Sequence, residues 1–207
     1  MMTKKPSRFV NEAYVEMLEL PVFEEYTFWD QLQKRKIIIN QEINESLVER
    51  VMFQIMNFNH ADAKSEAEDK DFKREPIEIY LNTPGGNLYE TLVLCNIIKL
   101  STTPIHTIVL GYAASAGALI TMSGHRRFAY TASSILIHQA SGVASGKVND
   151  MNDELKHVNK QSNRMKEYIL QHTKITPQLY KKNQQREWWL SAREALELGV
   201  LDEIIGG

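Results

Sequence analysis

The chain has 207 residues, 43% of them hydrophobic and 24% charged, with a formal net charge of -2. That length and composition suit one domain with a sizeable core, or one domain plus an appendage, and exclude a chain that is disordered throughout. The nearly balanced charge argues against nucleic acid or an anionic membrane as a partner recognised by bulk electrostatics.

In chain order, Val10, Tyr14, Met17 and Leu18 stand near helical spacing until Pro21 breaks the pattern. Residues 1–24 therefore read as an N-terminal arm before a single domain over 25–207. Glu12, Glu16 and Glu19 interrupt any apolar run there, so neither a secretory signal nor a membrane span is expected and the cytoplasm is the default compartment. Ile37-Ile38-Ile39 reads as a strand, and Asn44 or Ser46 as the cap of a helix through Leu47, Val51, Ile55 and Met56. From Asp62 to Glu75 acids and bases crowd around one aromatic, Phe72. That stretch reads as a solvated, mobile loop.

Ile77 to Leu81 is a second strand, and it runs into Asn82-Thr83-Pro84-Gly85-Gly86-Asn87. Locally this is an ordinary proline-glycine turn, but paired glycines also bring bare N–H groups close to a ligand. Leu88, Leu92, Val93, Leu94, Ile97, Ile98 and Leu100 make the next helix apolar on more than one side, so it should be buried on most faces. A sheet covered by such helices is a layered α/β architecture. Cys95, the only cysteine, lies within that apolar run and reads as a small buried hydrophobe.

The β-branched run Ile105 to Leu110 leads into Gly111-Tyr112-Ala113-Ala114-Ser115-Ala116-Gly117 and then a helix stopping near Gly124. A serine on a tight strand-to-helix turn among small neighbours is placed as a nucleophile needs, although taken alone such a motif is more often only a close-packed helix start. Short strands follow at Arg127 to Tyr130 and Ser134 to Ile137, the second ending in His138. A histidine there suits a general base facing the serine's turn, or a structural residue. No His-Glu-x-x-His or Cys-x-x-Cys spacing occurs, so a metal-assisted reaction is disfavoured; no cofactor is expected.

Ser141 to Gly146 is small and flexible, and Val148, Met151, Leu155, Val158, Met165 and Ile169 then form a narrow stripe on one long helix, about Val148 to His172. At 1.5 Å per residue it would be roughly 37 Å long, so one end is expected to protrude and meet a second subunit. Thr176-Pro177 starts another helix; Ser191 to Glu194 has capping-box spacing, with Gly199 as the stop. Glu187, just before Trp188 and Trp189, is expected to be partly buried and partnered.

Over about residues 25–205 these segments resemble the ClpP family of serine peptidases, whose fold is shared with crotonases. Thr83-Pro84-Gly85-Gly86 is similar to the family's Ser-Pro-Gly-Gly segment, Ala113 to Gly117 to its nucleophile motif, and Ile137-His138-Gln139 to its base motif. Leu190 to Ala195, with Gly199 to Asp202, is similar to its C-terminal segment. The resemblance makes Ser115 the nucleophile, His138 the general base and the Gly86 and Ala116 amides the oxyanion donors. Glu187 stands where the family has an aspartate; one extra methylene displaces the charge, and Asp202 is the other acid within reach by sequence.

The resemblance further implies heptameric rings stacked as a tetradecamer through the long helix. Substrate would be held as an added strand along Gly142, Val143, Ala144 and Ser145, and an AAA+ unfoldase would dock on the outer face. Tyr80 matches one docking aromatic, but Glu78 replaces another, and the charged 62–75 insertion is longer than usual. The function implied is a serine endopeptidase acting on peptides or unfolded chains. Two rivals stand beside it: a non-catalytic subunit of the same fold, and an acyl-CoA enzyme of the crotonase kind, which an intact Ser115 and His138 disfavour.

Overall fold

Strand β1 (Lys36–Ile39) buries Ile37 and Ile39 and leaves Ile38 exposed. The alternation continues through β2 (Ile77–Thr83), where every odd-numbered residue is buried and every even-numbered one half-buried. One face of the sheet is therefore a core face. The computed structural model describes residues 23–139 and 146–206, so the arm expected over 8–20 lies outside the described residues. Helix α1 (Phe23–Gln33) opens the described chain, across the boundary expected at residue 25 and without having been signalled by apolar spacing.

Helices α2 (Glu45–Glu68) and α3 (Leu88–Leu100) pack against each other and share one core with the buried strand residues; the first is capped by Asn44, whose side chain accepts from Leu47 N. Strand β3 (Ile105–Ala114) is the axis of the domain. It is followed by α4 (Ala116–Ser123), β4 (Arg126–Tyr130), β5 (Ser134–Ile137), α5 (Val148–His172), α6 (Pro177–Asn183), β6 (Trp188–Ser191), α7 (Ala192–Glu197) and β7 (Glu203–Ile205). The strand order is β1-β2-β3-β4-β7, all parallel; β5 pairs parallel with β3 and antiparallel with β6. The layered α/β class is the one expected.

β3 carries two partners in succession. His106 to Val109 pairs with β4, and Tyr112 to Ala114 pairs with β5. At the fork the Ser133 hydroxyl donates to the carbonyls of Val109 and Leu110, at 2.8 and 3.0 Å. Against β2 the register slips between Leu81–Val109 and Thr83–Ala113. There the Asn82 side-chain oxygen accepts from Tyr112 N, and a Cβ on Gly111 would stand 2.7 Å from that oxygen. The strand thus runs four residues beyond Leu110 and delivers its end to a different sheet partner from its beginning.

All of α4 is buried. Its small residues are what let it lie so close: a Cβ on Gly117 would come within 2.6 Å of Thr83 Cγ2. Cys95 is buried beside this helix, and burial pushes its thiol up to about 11.

Two expectations need correction. The Asp62–Glu75 stretch is not a solvated loop throughout, because α2 continues to Glu68 and Asp62 is buried. Arg35 donates to both Asp62 carboxylate oxygens, at 3.0 and 2.6 Å, and Thr103 Oγ1 donates to one of them at 2.6 Å. Arg74, farther on, is paired with Glu66 and donates to Thr102 and Thr103. A dense run of charges is compatible with a packed helix here because Asp62 finds its partners on other elements and Arg74 folds back onto Glu66. The second correction concerns α3, which leaves Tyr89, Val93 and Leu100 exposed.

Candidate active site

Ser115 is the single residue between β3 and α4, and it adopts φ 55° and ψ -112°. For a residue with a side chain this conformation costs on the order of 1–3 kcal/mol and needs its surroundings to enforce it. They do so from both sides: Ser115 N donates to Leu136 O of β5 at 2.9 Å, and Ser115 O accepts from Ala118 N at 3.0 Å. The Pro84-Gly85-Gly86 turn closes over it. A Cβ on Gly85 would stand 2.8 Å from Ser115 Cβ and 2.7 Å from Ala114 O, and Gly85 has φ +99°. That turn is fastened in turn to the chain before α2, with Ile43 N donating to Gly85 O and Asn87 N to Ile43 O.

The amides of Gly86 and Ala116 donate to no acceptor among the described residues. For Ala116 this follows from its place at a helix start, where the first N–H groups have no carbonyl a turn behind. Both residues line a cavity of about 290 Å³ together with Ser115 and His138. His138 reaches it because β5 ends at Ile137, alongside the end of β3. Neither the Ser115 hydroxyl nor the His138 imidazole has a hydrogen-bond partner among the described residues.

Glu187 lies next in the ladder that ends with the Ile137–Trp188 pair, so the register carries it to the same end of the sheet as His138. Its side chain, however, is not partly buried as expected. Glu187 is exposed, and its Oε2 accepts from Trp189 Nε1 at 3.2 Å. The cause is Trp189 itself, which is half in solvent and presents its indole N–H two residues away. Asp202 is no acid in reserve. Arg127 donates to both its carboxylate oxygens and to the carbonyls of His172 and Gly199. That guanidinium holds the Asp202 carboxyl below its ordinary value of 3.8.

The remaining wall of the cavity comes from Asn87, the cap of α3, from Leu88 and Tyr89 on α3, and from Val158, Gln161 and Met165 on α5. None of these six is signalled as a site residue by a motif in the sequence. The one signal was Gln161, a polar residue set between Val158 and Met165 of the apolar stripe at helical spacing. Gly142, Val143, Ala144 and Ser145, expected to hold substrate, lie outside the described residues. Glu78 sits on the half-exposed face of the sheet, where it accepts from Tyr80 Oη at 2.9 Å and lies 3.7 Å from Lys36 Nζ. Burial and that carboxylate push the Tyr80 hydroxyl up to about 12. Among the described residues no three His, Cys, Asp or Glu side chains converge as a metal site. Nor is any described helix long and apolar enough to cross a membrane. Compared with models of known families, the chain matches the one described as Clp protease, over residues 23–207.

Proposed function

Because the chain belongs to the Clp protease family of serine peptidases, we propose that it is an endopeptidase working through an acyl-enzyme on Ser115. The hydroxyl attacks a peptide carbonyl while His138 takes its proton; His138 returns that proton to the leaving amine, and water then releases the acyl group. The Gly86 and Ala116 amides hold the oxyanion, at a place where donors fixed in advance favour the transition state over the substrate. Glu187 orients the imidazole once its carboxylate turns from Trp189 to His138. The observation that carries this reading is one cavity lined by Ser115, His138, Gly86 and Ala116, two of them with unpaired amides and one held in a costly backbone conformation.

The substrates proposed are peptides or unfolded polypeptides, held as an added strand by residues 142–145 inside a chamber of heptameric rings stacked as a tetradecamer. Support comes from α5, where Val148 and Leu155 are exposed on the stripe whose continuation, Met165 and Ile169, is buried. An AAA+ unfoldase would meet the sheet face around Ile38 and Tyr80, where Glu78 and Lys36 make the surface more polar than an apolar loop prefers. The cytoplasm is the compartment we assign.

Hydrolysis of a fluorogenic peptide by the purified, assembled chain tests the proposal. Ser115→Ala should lower kcat by on the order of 10⁶, as removal of such a nucleophile does; equal rates would refute it. A second reading, a non-catalytic ring subunit, is favoured by one observation, the engagement of Glu187 with Trp189 rather than His138. It predicts no hydrolysis by the wild type.

A further inference from the structure

The inner wall of the cavity is apolar at Leu88, Val158 and Met165, yet between the last two α5 places Gln161, a side chain only 5% exposed. Its amide is braced. Nε2 lies 3.1 Å from His157 Nε2, and Oε1 accepts from Arg164 Nη1 at 3.4 Å. His157 is braced in turn by the Tyr89 ring, stacked with centroids 6.0 Å apart. A primary amide has two N–H donors and two acceptor lone pairs. These contacts use one of each, leaving one donor and one acceptor for whatever fills the cavity.

Resting on the peptidase reading above, we propose that Gln161 selects the substrate residue whose carbonyl Ser115 attacks, favouring an uncharged hydrogen-bonding side chain of the glutamine type over an apolar one of equal size. An apolar side chain entering the cavity expels water and strands the amide's remaining groups, a cost that is not recovered. A glutamine amide offers one acceptor and one donor in return. A carboxylate of similar length would carry its charge into a cavity with no lysine or arginine among its lining residues, and is disfavoured for that reason.

The test uses two fluorogenic peptides identical except for glutamine or norleucine at the cleaved residue, with kcat/KM measured on the assembled wild type and on Gln161→Met. Labelling of wild-type Ser115 by a small fluorophosphonate, run alongside, reports the nucleophile separately from the pocket. The wild type should prefer glutamine by about tenfold, the size of one well-placed hydrogen bond with its unpaired alternative, and Gln161→Met should lose that preference. A wild type that labels and cleaves but treats both peptides alike, or favours norleucine, overturns the assignment of Gln161 and leaves the peptidase reading standing. So does a Gln161→Met ratio equal to the wild type's. A wild type that neither labels nor cleaves overturns both. The wild-type ratio decides even where the variant fails to fold.

Discussion

Asp62 and Glu187 are two carboxylates with opposite fates, each the reverse of its sequence surroundings. Asp62 stands in a run of charges and is buried, gripped by Arg35 and Thr103 where β1, α2 and the start of β3 meet. Glu187 stands beside two tryptophans and is exposed, held by Trp189 at the far end of the sheet. What buries an acid is a cation and donors brought by other elements, not the hydrophobicity of its neighbours along the chain. The difference also separates two jobs. One end of the sheet is locked by a complete set of partners, while the other gathers Ser115, His138 and two backbone amides that have no partner among the described residues.

Three substitutions probe the contrast. Asp62→Ala should have the largest effect, about 3–5 kcal/mol of lost stability in urea unfolding, because it leaves Arg35 largely buried without its partner. A loss below 1 kcal/mol would show that the pair is no more than a surface contact. Next, Glu187→Asp should raise peptidase kcat, by up to about 100-fold if the extra methylene misplaces the charge by ~1 Å, with little change in stability because the side chain is exposed. An unchanged or lower rate would mean that position 187 does not orient His138.

The smallest effect is expected at Asp202. Arg127 depresses its folded-state carboxyl below 3.8. Below that ordinary value the unfolded chain therefore binds the proton first, and stability falls as pH drops toward the folded-state value. Thermal unfolding of Asp202→Asn should show a shallower loss than the wild type as pH falls below ~3.8. Parallel curves would mean that this carboxylate contributes nothing to acid unfolding.

Much of this was legible along the chain. The tripeptide Ile37-Ile38-Ile39, the Thr176 and Ser191 caps and the 148–172 helix stand where local pattern placed them, because propensity and capping are short-range. At the site, Ser115, His138 and the Gly85-Gly86 turn were visible as motifs, since each needs special backbone or a strand end. Gln161, Tyr89 and Met165 were not, because a cavity wall made by two helices remote in sequence leaves no local trace. The forked pairing of β3 was hidden for the same reason: nothing in Gly111 to Ala114 names a second partner strand.

The peptidase proposal stands or falls on Ser115 as a working nucleophile. Peptide mapping by mass spectrometry of the assembled chain after fluorophosphonate treatment addresses it directly. One adduct is expected, on Ser115 and absent from Ser115→Ala. No adduct on the wild type, or one elsewhere that survives in Ser115→Ala, would contradict it.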